Sequence, residues 1–171
     1  ASGAELGTDV HPMIVGSDGI LYIGNGNDVA SFDGATGANV TFNPSAVDVP
    51  EGFTISAFTK TADYIIIFAY KSAGVTGTSY FRTDAKAFFW DTNRHPDTYT
   101  YEFDLDDNYV NAGFKWDGVI GCFTQGRGTD ATARTSALRL FDGDKFTVAA
   151  VFNDNIPRHG GVEVADNMLH W

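Results

Sequence analysis

The run Asp104-Leu105-Asp106-Asp107-Asn108 places oxygen donors at alternate positions, as a calcium loop does, so Asp104, Asp106 and Asn108 are the candidate metal ligands. The glycine and distal glutamate of an EF-hand are missing, because Tyr109-Val110-Asn111-Ala112 follows. A solvated connection between strands is the favoured reading of the run, so no metal is expected there, and Asn153-Asp154-Asn155 reads the same way. His11, His95, His159 and His170 show no metal spacing and have no cysteine partner nearby. His11-Pro12 and His159-Gly160 fall at matching places before strands, which suits a repeated turn residue. The single cysteine, Cys122, lies in the apolar run Val119-Ile120-Gly121-Cys122-Phe123 and is expected to be buried rather than nucleophilic.

Carboxylates are plentiful, and a glycosidase needs only two of them at the right separation, so their number alone selects nothing. Asp33, Asp91 and Asp142 recur at one position of a repeat, which favours a turn role. No G-x-S-x-G elbow or P-loop is present. Gly24-Asn25-Gly26 follows a strand, but no helical pattern opens after it, so it is not a dinucleotide site. Asn39-Val40-Thr41 is a glycosylation sequon by letter only. The chain therefore reads as a non-enzyme with no expected cofactor.

The background of these residues is acidic and aromatic. Lys and Arg total 11 against 22 Asp and Glu, for a net charge of −11. That balance disfavours nucleic acid and anionic membrane as partners, since both are held by Lys and Arg. No apolar run approaches the ~18 residues of a membrane-spanning helix. Aromatics reach 14%, and there are 19 glycines, which points to strands joined by tight turns.

A repeat of roughly 50 residues organises the chain. Four segments open with a turn signal followed at once by an apolar run. They are Ser17-Asp18-Gly19-Ile20-Leu21-Tyr22-Ile23, Ala62-Asp63-Tyr64-Ile65-Ile66-Ile67-Phe68, Trp116-Asp117-Gly118-Val119-Ile120, and Asp166-Asn167-Met168-Leu169. The register residues Asp18, Asp63, Asp117 and Asp166 are separated by 45, 54 and 49 residues. A second landmark, an aromatic followed by Asp, closes a later strand at Phe32-Asp33, Trp90-Asp91 and Phe141-Asp142. Each unit thus reads as four strands, A to D. Strand A precedes the turn, B follows it, C ends at the landmark and D comes after. The B–C connection is short at Asn25-Gly26-Asn27 and long at 71–78 and 125–135. No amphipathic helix is expected, because apolar residues recur at period 2 or in unbroken short runs.

Four-stranded units of this length predict an all-β fold, a β-propeller of antiparallel blades in a single domain over 1–171. The expected blades are 9–43, 53–105, 109–153 and an incomplete 159–171, about three and a half in all. Small residues in A strands, such as Ala57, Ala112 and Gly113, suit a crowded axis. A closed propeller needs at least four blades, so the expectation is a partial propeller or a fragment of a longer polypeptide. A two-sheet sandwich is the competing architecture.

The stretch His11-Pro12-Met13-Ile14-Val15 with Asp18-Gly19-Ile20-Leu21-Tyr22-Ile23-Gly24-Asn25-Gly26-Asn27-Asp28-Val29-Ala30 resembles a blade pattern of propeller-like structural proteins of tailed bacteriophages. The resemblance implies a virion component of the tail, fibre or decoration class, and it transfers no catalytic residue. The expected partners are other protein subunits of the same assembly. Lys71, Arg127 and Arg134, on the long B–C loops, are the candidate binding residues. The alternative is a secreted or surface propeller that binds or cleaves carbohydrate, such as a host-surface glycan. Its motive is the aromatic set Trp90, Trp116, Trp171, Tyr80, Tyr99 and Tyr101, since aromatic faces stack on sugar rings.

Overall fold

The structure is a computed structural model that describes residues 6, 11–34, 41–71, 84–106, 109–125, 136–152, 163–165 and 168–170. These residues are all-β, with no helix among them. The first sheet holds β1 (Met13–Val15), β2 (Leu21–Asn25), β3 (Asp28–Asp33) and β4 (Thr41–Asp48). The second holds β5 (Phe53–Lys60), β6 (Ile65–Lys71), β7 (Asp84–Trp90) and β8 (Tyr101–Asp104). The third holds β9 (Tyr109–Trp116), β10 (Val119–Gln125), β11 (Ser136–Phe141) and β12 (Phe146–Phe152). A hairpin of β13 (Glu163–Ala165) and β14 (Met168–His170) follows. Every sheet is an antiparallel meander in chain order.

The A–B hairpins fall at the expected turns, but in the second it is Thr61, not the register residue Asp63, whose side chain caps the turn. Asp18 Oδ1 accepts the Ile20 N–H at 3.0 Å, and Thr61 Oγ1 accepts the Tyr64 N–H at 3.0 Å. Asp117-Gly118 closes the third hairpin with both residues at positive φ, 46° and 80°. Strand C ends at the aromatic–Asp landmark in all three sheets, at Asp33, Trp90 and Phe141.

Two D strands depart from expectation. Strand β4 runs on to Asp48, past the anticipated apolar run at 38–42. Between the pairs Ser31↔Asn43 and Val29↔Val47, the residues Pro44, Ser45 and Ala46 bulge opposite Ala30. A proline is tolerated there because β4 is an edge strand. Strand β8 starts at Tyr101, later than the run beginning at Thr98. The preceding turn is held by His95 N–H to Asp91 O at 3.0 Å and by the Trp90 indole to His95 O at 3.0 Å.

The sheets stack face to face, with A strands brought together. Strand β5 packs against β1 and β2 on one side and β9 on the other, and β13 packs against β9. The alternation of β6 explains its unbroken apolar sequence. Ile65, Ile67 and Ala69 enter a core with Tyr22, Val29, Val47, Phe53, Phe88 and Trp90. Ile66 and Phe68 enter a second core with Ala87, Phe89, Leu105, Ile120, Cys122 and Phe146. A third cluster, around Phe114 and Phe123, lies on the far face of the third sheet. Gly113 is a close approach in strand A, as expected. A Cβ there would sit 2.3 Å from the Phe68 ring. The three sheets do not close into a ring, and on the outer face of the first Met13 and Val15 are exposed at 63% and 51% while Ile23 and Ala30 are buried.

Candidate functional site

In an A-B-C-D meander, the B–C and D–A connections share one end of the stack, and the A–B and C–D turns share the other. The first B–C turn is built from Asn25-Gly26-Asn27-Asp28. It is tied to the next sheet by Ile55 N–H to Gly26 O at 2.8 Å and to the D–A connection by Val49 N–H to Asn27 O at 2.9 Å. Asn27 Nδ2 donates back to Val49 O at 3.3 Å. This end of the first sheet is therefore rigid.

Asp28 and Asp48 face each other across β3 and β4 beside this turn. Burial raises the Asp28 carboxyl above its ordinary value of 3.8, and the hydrogen bond and charge of Asp48 raise it further. The Ser45 hydroxyl donates to Asp48 Oδ1. The sequence did not point to the pair, because the bulge at Pro44 offsets the register that brings the two residues opposite.

Lys71 ends β6 at the same end, exposed, with its ammonium 6.0 Å from the centre of the Phe53 ring. The Tyr70 ring meets Tyr109 of the third sheet at 4.8 Å, and Tyr109 pairs with Gln125. The two long B–C loops therefore leave from neighbouring points. Arg127 and Arg134 lie outside the described residues, as do 72–83 and 126–135.

The candidate metal ligands are not assembled among the described residues. Asp104 pairs with Lys86 at 3.2 Å, and Lys86 also holds Glu102 at 2.8 Å. Asp106 stands in a turn at φ 50°, and Asn108 lies outside the described residues. No group of three or more His, Cys, Asp or Glu that could hold a metal occurs among the described residues.

The landmark carboxylates sit at the opposite end in turn roles. Asp91 Oδ1 accepts the N–H groups of Asn93 and Arg94, both at 3.0 Å. Asp142 Oδ1 accepts those of Asp144 and Lys145, at 3.0 and 2.9 Å. These backbone donors lower both carboxyls below the ordinary value. Asp33 ends β3, and the residues after Gly34 are not described. His11 Nδ1 donates to Gly24 O at 2.8 Å, and Gly24 N–H donates to Pro12 O at 2.9 Å, so this histidine clasps the end of β2. Cys122 is fully buried.

The aromatic set divides. Trp90 is 2% exposed and meets Tyr22 of the first sheet edge-on at 5.0 Å. Trp116 belongs to the third cluster, and Tyr99 packs on the first core. Tyr101 is exposed beside Tyr64, with ring centres 6.1 Å apart. Tyr80 and Trp171 are not described. No helix among the described residues is long and apolar enough to cross a membrane. No protein-family model, curated protein or solved structure matches the chain.

Proposed function

We propose that the chain is a non-catalytic structural module of a virus particle, part of a β-propeller, that binds neighbouring protein subunits of the same assembly. The observation that carries the reading is the repeated rigid frame of stacked four-stranded sheets whose B–C connections leave from one end. Recognition is normally placed on loops held by such a frame. The phage-like blade pattern at 11–30 supports the virion setting, and the net charge of −11 speaks against nucleic acid and anionic membrane as partners. Lys71 supplies a cation at the loop end, suited to an acidic patch on a neighbour.

Deleting 126–133 tests the reading. Folding should survive, because shortening a loop changes closure entropy only slightly. Incorporation of the tagged chain into particles, read by co-sedimentation, should fall. Unchanged incorporation, or saturable cleavage of a glycan panel by the purified protein, would overturn the reading. The second of these would favour the carbohydrate alternative, with Tyr101 as the exposed ring.

A further inference from the structure

The described residues contain four Asp-Gly bonds, Asp18-Gly19, Asp33-Gly34, Asp117-Gly118 and Asp142-Gly143. Such a bond carries a slow chemistry of its own. The glycine amide nitrogen can attack the aspartyl Cγ, because no side chain on the glycine hinders it. The attack needs a carboxyl free to turn and an amide N–H free to approach. The fold treats the bonds differently in both respects. At Asp18 both partners are held. Oδ1 accepts the Ile20 N–H at 3.0 Å, Oδ2 accepts the Tyr22 hydroxyl at 2.7 Å, and the Gly19 N–H donates to Gly16 O at 3.3 Å. At Asp142 the carboxylate is held, with Oδ1 accepting the N–H groups of Asp144 and Lys145 at 3.0 and 2.9 Å. Those donors also favour its ionised form, which is a poor electrophile. Asp33 is engaged as well.

Asp117-Gly118, at the tip of the β9–β10 hairpin, differs. Among the described residues nothing hydrogen-bonds the Asp117 carboxylate or the Gly118 N–H. Both residues are exposed, and no atom lies within 4 Å of where a Gly118 Cβ would stand, so there is room for a ring to form. Asp117 is also held at φ 46°, a left-handed conformation that costs a residue with a Cβ. Asp106 shares that conformation at φ 50°, but Asp107 follows it, and a side chain on the attacking residue crowds the approach. Strain, a free carboxylate, a free amide and a following glycine thus coincide at this tip.

We propose that Asp117-Gly118 is a self-modification site, at which the folded chain converts aspartate to isoaspartate without an enzyme. The Gly118 nitrogen bonds to Asp117 Cγ, its proton leaves with the carboxyl hydroxyl as water, and a cyclic imide forms. Water then opens the ring. Attack at Cγ restores aspartate, and attack at the Asp117 main-chain carbonyl carbon leaves the chain running through Cγ as isoaspartate. The water lost is the water regained, and nothing is oxidised or reduced. The product adds a carbon to the backbone between Trp116 and Val119, the pair that closes the hairpin, and so releases the strained φ. The site goes beyond the function reading and shares no residue with it.

Ageing of the full chain at neutral pH, folded and in guanidinium chloride, tests the proposal. Circular dichroism shows that the folded samples stay folded. Isoaspartate is read at each position by electron-transfer fragmentation of the digested chain. Each folded rate is divided by the rate of the same bond in denaturant, which removes the effect of neighbouring residues. The ratio at Asp117 should exceed those at Asp18 and Asp142 by about fivefold or more, since each of those must first give up a hydrogen bond of ordinary strength. Tyr22→Phe removes one such bond and should speed the reaction at Asp18. Asp117→Glu should abolish the product at 117 and leave the other rates alone, because the larger imide ring forms slowly. Equal ratios at the three bonds, or no isoaspartate at 117 in the folded chain, would overturn the proposal. So would a rate at Asp18 that Tyr22→Phe leaves unmoved.

Discussion

The first and second sheets share one strand plan but not one environment. In the second sheet, both faces of β6 are covered, and Ile66, Ile67 and Phe68 are fully buried. In the first sheet, among the described residues, another sheet covers only the Tyr22 face of β2; on the other face Phe32 is 36% exposed while Ile23 is buried. The contrast separates two demands that a repeated sequence satisfies together. Hairpins and landmarks are local and recur in every unit. Burial depends on whether a neighbouring sheet is present.

That contrast can be broken most sharply by truncating one aromatic on each sheet. Phe68→Ala should cost about 3–5 kcal/mol, because it empties a site packed against Phe146 and the Gly113 backbone. Phe32→Ala should cost roughly 1 kcal/mol or less in the isolated chain. Chemical denaturation measures both, and equal losses would mean that the two faces are equally packed.

Next comes the closeness of the stack itself. Gly113→Ala should destabilise by about 1–3 kcal/mol, since the new methyl must displace the Phe68 ring. Gly118→Val strains a turn at φ 80° where nothing is crowded, and it should cost about 1–2 kcal/mol. If Phe68→Ala is added, the cost of Gly113→Ala should largely vanish and that of Gly118→Val should persist. A double-mutant cycle decides this, and additive costs at Gly113 would refute the contact.

The smallest effects distinguish carboxylates by pH. The lowered Asp142 carboxyl stabilises the fold above its ordinary value of 3.8, and that contribution is lost as pH falls through the folded value. Asp142→Ala should therefore lower the melting temperature at neutral pH and converge on wild type in acid. The raised Asp28 has the opposite sign. The fold loses stability as pH rises from 3.8 through the raised value. Asp28→Asn should raise the melting temperature slightly at neutral pH and make no difference in acid. Parallel melting curves across the whole pH range would contradict both assignments.

Much of the strand order was legible because it is written in short-range chemistry. An Asp or Thr before an apolar run satisfies the backbone of its own turn, and the aromatic–Asp landmark ends strand C wherever it occurs. The D strands were less legible. In β4 a bulge decides the register, and a bulge is set by the partner strand rather than by local composition. At the candidate site, Lys71 was readable as the end of a strand. The Asp28–Asp48 pair was not, because its members are brought together only across that bulge.

By itself the sequence determined the all-β class, the four-strand unit and the turn roles of Asp91 and Asp142, since each follows from residues a few positions apart. The tertiary structure alone decided which face of each strand meets which neighbour. It divided β6 between two cores and turned Trp90 inward against Tyr22. It also left the equivalent Phe32 36% exposed. The physical reason is that strand periodicity marks two faces without saying what covers them. Covering is a property of the stack, supplied by residues that lie a whole repeat away in the chain.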